Sequence, residues 1–388
     1  MATTAGTPGT PRVLRAMNDR AALDLLVLHG PLTRTRIGEL TGLSKPTTSQ
    51  LLSRLEEAGL VRATGSESGR PGPNALLYEI NPGAAHVAAL SVGHTGISAV
   101  VADITGTVVG RSRVEAESAA RGAARPAARL AREAVEGALA EAGLPAGRLH
   151  RAVIGTPGAL DPDTGELRYA PHLPGWHSRS LLAELSEEIG TPVSIENDVN
   201  LAAMAEQYEG AAQDHDDFVL AWVDRGVGAA IVLGGNLLRG ATGGAGEIGY
   251  MPLPGAPLAR GGENATAGDD GGGGLQSLVS VPAVRALAGG RPLAEALSDR
   301  SVLEETARRL ATGLAAVVAV VDPELVVLSG QVAEAGGEEL RRRVEAELTG
   351  LALPRPLLRI SELAGDPILV GALRSALTRT RDTVFDTH

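Results

Sequence analysis

The stretch from Thr33 to Leu60, TRTRIGELTGLSKPTTSQLLSRLEEAGL, decides how the N-terminal part of this chain folds. Thr33 to Leu40 reads as a short helix closed by Thr41-Gly42. Ser44 is placed to cap the next helix, and Pro46 falls in its first turn, where a missing N–H costs nothing. Leu51, Leu52 and Leu55 recur at the helical period and give that helix a buried stripe, which stops at Gly59. Working outward, the residues from Asn18 onward carry a helical face (Leu23, Leu26, Val27) that ends at Gly30. Downstream, Leu60–Thr64 and Leu76–Ile80 are strand-like runs around a polar, Gly- and Pro-rich loop, Gly65–Asn74. Helix, helix, turn, helix and hairpin is the layout of a winged helix-turn-helix. The alternative is the same scaffold with no DNA to bind.

The surface chemistry of the third helix favours DNA. Its expected exposed positions, with the cap Ser44, are Lys45, Thr47, Thr48, Gln50 and Arg54. None of the residues in its first two turns is acidic. Hydrogen-bonding groups at a helix N-terminus suit phosphates and major-groove base edges. Lys45 is the only lysine in the chain, and the acidic pair Glu56-Glu57 lies at the far end of the helix. In the hairpin loop Arg70 stands between Gly69 and Pro71, a placement that lets an arginine enter a narrow minor groove. A solvated loop arginine is the alternative. Asn81-Pro82-Gly83 closes the module, so the expected boundaries are a disordered tail over 1–17 and a winged helix over 18–83.

Composition bounds the rest. The chain has 388 residues, enough for two or three domains, and is 44% hydrophobic and 21% charged, which indicates a globular protein. Aromatics supply only 2%, so the core must be built from Ala, Val, Leu and Ile. The longest apolar run, Leu310–Val321, is too short to span a membrane. With no charged-then-apolar leader at the N-terminus, a soluble cytoplasmic protein is expected. There is no cysteine, so disulfides and thiolate zinc sites are excluded. The net charge is −11, but residues 1–83 carry about +2 and the remainder about −13. A basic module on an acidic body suggests that one end meets phosphate.

From His86 a new pattern begins. Val87–Ser91, Ile97–Asp103 and Thr107–Arg113 read as three strands, followed by a helix over about Arg125–Ala142 and a strand, Ala152–Ile154, that runs into Gly155-Thr156-Pro157-Gly158. Phe218–Val223, Gly228–Leu233 and Asn236–Arg239 repeat the three-strand theme. Ser301 with Glu304 reads as a capping box on a long helix ended by Asp322-Pro323. Leu325–Leu328 is then a strand entering Ser329-Gly330. The repetition predicts two similar α/β lobes with a cleft between them. The glycine-rich stretch Gly261–Gly274 reads as a loop.

Four segments now resemble the ROK family (repressors, open reading frames, kinases). They are Ser91-Val92-Gly93-His94-Thr95, followed by Val101–Gly106, which together correspond to the family's first phosphate loop; Glu196-Asn197-Asp198-Val199-Asn200-Leu201-Ala202-Ala203; Gly226-Val227-Gly228 through Gly243–Tyr250; and Asp322-Pro323-Glu324 with Ser329-Gly330. The resemblance covers about residues 85–388. It implies an actin-like, hexokinase-type fold over 84–388, with lobe 1 over about 84–205 plus a C-terminal helix 370–388, and lobe 2 over about 206–369. It also implies a ligand site of Gly158, Asn197, Asp198, Glu247, Tyr250 and Gln276. Family members with an N-terminal winged helix are sugar-responsive transcription regulators, dimeric or tetrameric.

The departures from the family kinases concentrate on the ATP side. The first phosphate loop of those kinases opens with Asp and has Gly where this chain has Ser91 and His94. Their second loop has Gly-Thr-Gly, against Asp224-Arg225-Gly226 here. The zinc cysteines correspond to Ala267, Asp269 and Gly274, so no zinc is expected, and ATP is not expected as a cofactor. The sugar side keeps Asn197, Asp198 and Glu247, whereas the sugar-contacting His is Tyr250 and a downstream Glu is Gln276. Asp198 is a hydroxyl acceptor, a helix cap, or both. Tyr250 is either a ligand contact or core packing, and Glu247 either a ligand contact or a solvated acid. His172 and Trp176 correspond to a substrate-lining loop, with packing or exposure as the simpler reading. The expected function is a DNA-binding transcription regulator, most simply a repressor, controlled by a small carbohydrate in the cleft. The alternatives are a sugar kinase carrying a DNA module, with Asp198 as its base, and a regulator of a non-sugar metabolite.

Overall fold

The computed structural model describes residues 11–67, 75–93, 95–115, 126–161, 164–168, 173, 176–258 and 273–386. The winged helix comprises α1 (Pro11–His29), β1 (Leu32–Thr33), α2 (Arg34–Thr41), α3 (Lys45–Glu57), β2 (Val61–Glu67) and β3 (Ala75–Ile80). Its three strands form an antiparallel sheet in the order β1-β3-β2. Local chemistry sets the helix ends. The Thr33 side chain accepts the Arg36 amide at 3.2 Å and opens α2, which closes on Gly42 in the left-handed region. Ser44 accepts the Thr47 amide at 3.4 Å and opens α3. Leu51, Leu52 and Leu55 meet Leu23, Leu26 and Ile37 in one buried core. α1 begins at Pro11, seven residues before the helix expected from Asn18, so 11–17 is helical rather than tail. A proline at the first helical position is favourable, and the apolar face that was read from Leu23 onward does not mark where the backbone starts to coil.

The rest of the chain forms two sheets of the same topology. In lobe 1, β4 (His86–Gly93), β5 (Gly96–Asp103) and β6 (Val108–Glu115) run antiparallel. α4 (Ala127–Ala142) then leads to β7 (Leu149–Thr156). The two-residue strands β8 (Ala159–Leu160) and β9 (Leu167–Arg168) form a small ribbon. α5 (Leu181–Ile189) precedes β10 (Val193–Asn197), and the sheet order is β10-β7-β4-β5-β6. α6 (Asp198–Glu209) crosses to lobe 2, where β11 (Phe218–Val223), β12 (Val227–Leu233) and β13 (Asn236–Leu238) repeat the antiparallel meander. The short helices α7 (Gln276–Val279), α8 (Val281–Leu287) and α9 (Leu293–Ser298) lead to α10 (Arg300–Val321), β14 (Leu325–Ser329), α11 (Gln331–Leu351) and β15 (Leu357–Ile360). The second order, β13-β12-β11-β14-β15, matches the first. The last helix, α12 (Pro367–Phe385), returns to lobe 1 and packs on Val87, Ala89 and Val153 beside α6.

Two expectations need correction. Val101–Gly106 is not part of the first phosphate loop. β5 is an eight-residue strand, about 26 Å long, so its Asp103 end lies opposite its Gly96 end. There Asp103 builds a turn, accepting from the Thr105 and Thr107 amides at 2.9 and 3.2 Å. The cap of α10 is Asp299, not Ser301, because its carboxylate takes both the amide (3.0 Å) and the hydroxyl (2.7 Å) of Ser301. Glu304 instead pairs with Arg300 and Arg343.

Candidate ligand cleft and nucleic-acid interface

On α3 the structure separates the expected contact residues into two groups. Ser44, Lys45, Thr47 and Gln50 are exposed. Thr48 is not available to a groove, which corrects that expectation, and Arg54 is half-buried and engaged with α1. Thr48 is buried, donates to the Ser44 carbonyl at 3.1 Å and packs against Gly38 of α2. Arg54 lies 2.6 Å from Asp19 of α1, whose side chain is only 7% exposed, so this guanidinium neutralises a buried acid. The helical period explains both: positions 48 and 54 sit next to the stripe of Leu51, Leu52 and Leu55. The sequence reading passed over Ser53 on α3 and Arg34, Thr35 and Arg36 at the head of α2, all of them exposed. Arg34 reaches Ser49 of α3 at 3.2 Å, which sets the start of α2 beside the recognition helix. Arg70 lies outside the described residues.

The cleft gathers residues from both lobes. Asn197 caps α6, its Oδ1 accepting the Asn200 amide at 3.1 Å while Nδ2 donates to the Gly158 carbonyl at 2.9 Å. The cap is therefore Asn197, and Asp198 is the first residue of the helix, with its carboxylate 2.8 Å from the Val199 amide. Burial pushes the Asp198 carboxyl up to about 6, assisted by the like charges of Asp224 and Asp366. Glu247 faces it from lobe 2 and is pushed up to about 7, first by burial and then by Asp198. Gly246, at φ +91, lets the Glu247 turn lie on β12. There its carbonyl accepts the Ala229 amide at 2.7 Å, and a Cβ would collide with the Ala229 carbonyl. Tyr250, three residues on, is 40% exposed and so is not core packing. Gln276 accepts the Val227 amide at 3.2 Å and tethers the second phosphate loop to α7.

One contact across the cleft escaped the sequence reading. Arg239, after β13 of lobe 2, holds Glu196 of lobe 1 through two nitrogens at 2.7 and 2.8 Å. Both residues line a cavity of about 140 Å³ with Ala159, Leu160, Ile195, Asn197 and Gly243. Glu196 sits in a sequence motif, and nothing local in sequence ties it to a residue 43 positions away. A larger cavity, about 450 Å³, opens beside Gly210, Arg341 and Arg359. It lies at the far end of α6 from Asn197, and its arginines are already committed to Ala211, Leu358 and neighbouring glutamates.

On the ATP side, Ser91 is buried on β4 opposite Ser98 and Gly155. Asp224 spends its carboxylate on the Arg225 amide and on Gln331. Trp176 is buried in the lobe 1 core rather than lining the cleft. His94, His172, Ala267 and Asp269 lie outside the described residues. Gly274 donates to Pro257 at 2.8 Å and Leu275 to Met251 at 3.0 Å, so backbone bonds lace the two flanks of the glycine-rich stretch together.

Comparison with known proteins agrees with this architecture. Residues 87–362 match the model of the ROK family, and residues 17–70 match that of the MarR family. The chain is 25% identical over 240 residues to the xylose repressor of Bacillus subtilis, covering 62% of this chain and 61% of the repressor, about three-fifths of its length. It is 24% identical over 354 residues to the DNA-binding transcriptional dual regulator NagC of Escherichia coli, covering 84% of this chain and 83% of that protein. Among solved structures, a ROK family transcriptional regulator described as a homologue of the E. coli MLC protein superposes with a TM-score of 0.69. It shares 20% identity, covering 97% of this chain and all of that one.

Proposed function

We propose, from the premise that the chain belongs to the ROK family, that it is a sequence-specific DNA-binding regulator of transcription whose hold on DNA is set by a small carbohydrate in the cleft. The observation that carries this reading is a winged helix with Ser44, Lys45, Thr47 and Gln50 exposed along α3, fused to a two-lobed domain whose cleft joins Asn197, Asp198 and Glu247. The printed names of the relatives, a xylose repressor and a dual regulator, support the same reading. A monosaccharide meets the cleft's acceptors with its hydroxyl donors, and lobe closure around it changes the body that carries the winged helix.

In this reading the protein has given up phosphoryl transfer. That chemistry needs a metal partner and free amides around the phosphates. Ser91 offers no carboxylate, and Asp224 brings a negative charge to the second loop. With no cysteine, the chain cannot form the family's thiolate zinc centre. We place it in the cytoplasm as a homodimer or tetramer on a two-fold operator. No helix among the described residues is long and apolar enough to cross a membrane.

The test is a gel shift on the DNA upstream of its own gene, at stated salt, with D-xylose, D-glucose and N-acetyl-D-glucosamine as probes. A sequence-specific complex that one of these sugars dissolves is the expected result. No specific complex at moderate salt would overturn the reading. Asp198 favours one competitor, because a carboxyl near 6 at a cleft hydroxyl position is a workable base. ATP consumption over the same sugars, with Asp198→Ala as control, separates the two, and no turnover is expected.

A further inference from the structure

One carboxylate joins the two halves of the cleft without belonging to the acceptors that face a ligand. Glu196 precedes Asn197 at the end of β10. Its Oε2 takes both contacts from Arg239, Nε at 2.8 Å and Nη2 at 2.7 Å. Its Oε1 accepts the Asn197 amide at 3.2 Å and Asn200 Nδ2 at 2.9 Å. Asn200 is buried and its Oδ1 has no partner among the described residues, so the bond to Glu196 orients that side chain. The Glu196 side chain is 16% exposed, which shields the pair from full screening. Arg239 is as well placed in lobe 2. Its carbonyl accepts the Ala245 amide at 3.1 Å and closes the loop that leads to Glu247. Gly243, within that loop, lies against β8 of lobe 1. It stands at φ +79, and a Cβ there would come within 3.1 Å of the Leu160 carbonyl. The loop therefore touches lobe 1 at two points, Gly243 and Arg239.

We propose that Arg239 is a positioning residue of the ligand site: through Glu196 it holds Asn197 and Asp198 of lobe 1 in register with Glu247 of lobe 2, and sugar affinity depends on this ion pair. This rests on the sugar-responsive reading and names what sets the affinity of its site. Acceptors already held at their bound spacing lose less freedom when a ligand arrives. Glu196 can serve both lobes because each of its oxygens faces one of them, and its bonds to Arg239 are charge-assisted. Asn197 is tied in turn to the Gly158 carbonyl and the Asn200 amide, so a carboxylate fixed by lobe 2 fixes the head of α6. Both contacting nitrogens of Arg239 go to Glu196, so Arg239 acts on a ligand through Asn197 and Glu247 rather than by touching it. Because they converge on one oxygen, a lysine at this position can restore part of the link.

The experiment uses the full-length protein with Arg239→Gln, Glu196→Gln, the double variant and Arg239→Lys. Glu196→Gln keeps an acceptor for Asn197 and Asn200 and removes only the charge. The first arm is hydrogen exchange without ligand. Each single variant is expected to speed exchange by about fivefold in peptides 196–203 and 239–247 and to leave α10 at the wild-type rate. Unchanged exchange in those peptides overturns the proposal, and so does a uniform rise that includes α10. The second arm is calorimetric titration with D-xylose, D-glucose and N-acetyl-D-glucosamine. For a sugar that wild type binds, each single variant is expected to lose about fivefold in affinity, the double variant no more than the worse single, and Arg239→Lys less. These sugars are uncharged, so salt should weaken their binding to wild type and leave Arg239→Gln indifferent. A loss in Arg239→Gln with Glu196→Gln at wild-type affinity means that Arg239 touches the ligand itself, which overturns the proposal. So do two independent losses that add in the double variant. If wild type binds none of these sugars and exchange still changes as expected, the positioning role stands and the sugar reading falls.

Discussion

At the residue scale, Arg54 and Lys45 look alike in the sequence and behave differently in the fold. Arg54 neutralises Asp19 inside the winged helix, whereas Lys45 stands exposed at the head of α3. Arg54→Met is therefore expected to cost about 1–2 kcal/mol of winged-helix stability by leaving Asp19 without its partner. Operator affinity measured below the melting range should barely change. Lys45→Ala is expected to leave stability alone, weaken binding to all DNA sequences, and reduce the salt slope by about one. Urea melts and salt-dependent titrations would show the two effects; an exchange of these phenotypes would refute the assignment. The cleft acids make a separate prediction. Asp198 at about 6 and Glu247 at about 7 both lie above their ordinary values, so the folded protein holds protons that the unfolded chain releases. Their contribution to stability is complete at low pH and is lost as pH rises through 6 and 7. Asp198→Asn with Glu247→Gln should flatten that slope and, after allowance for partial exposure, stabilise the unliganded protein by about 1–2 kcal/mol at pH 8. Parallel slopes between pH 5.5 and 8 would show that these acids do not control it.

At the scale of elements, legibility followed the strength of local signals. The three-strand meanders were readable because their apolar runs end in turns, and α2 and α3 because Thr33 and Ser44 cap them. Asn197, Asp198 and Glu247 were readable because each belongs to a motif whose backbone places it at a sheet end. The two-residue strands β8 and β9 and the short helices α7, α8 and α9 carry too few residues to show a period. Thr48 was misassigned because capping residues and packing residues share a chemistry, and only the neighbouring Gly38 reveals which role applies. Asp299 and Ser301 were confused because either can cap a helix, and the choice depends on one carboxylate taking two bonds. The least legible element was the end of α12. Phe385 is buried with Leu23, Leu26 and Ile37, which lie near the other end of the sequence, and completes the winged-helix core. Phe385→Ala is expected to cost about 3 kcal/mol, seen as easier proteolytic separation of the winged helix from the family domain. Unchanged protease resistance would mean that this contact does not hold the winged helix in place.

At the scale of the molecule, α12 touches both ends of the problem. Its first turn lies at the cleft: Asp366 caps it and acts on Asp198, and Ile368 packs against Gly155, at the end of the strand that leads to Gly158. Its last turns hold the winged helix. Arg381, which is buried, gives its hydrogen bonds to the Ile104 and Thr105 carbonyls. Arg20 of α1 reaches Asp382 at 2.7 Å and Asp386 at 3.2 Å and lies over the Phe385 ring. Nineteen helical residues span about 28 Å, and a packed helix moves as a rigid body rather than bending in the middle. Any lobe movement that ligand imposes at Gly155 therefore reaches Asp382 and Asp386 as a displacement, and Arg20 decides whether α1 follows. Arg20→Ala removes that grip without touching the cleft or the exposed face of α3. Operator affinity and the sugar-induced rise in melting temperature should both persist in this variant. The sugar's power to release DNA should fall by about fivefold or more, the lower range of measured couplings between sites. Fluorescence anisotropy on labelled operator, with and without sugar, reads this directly. A variant that releases DNA as readily as wild type would reduce α12 to scaffold and place the coupling in the Asn81–Ala85 connection between the winged helix and β4.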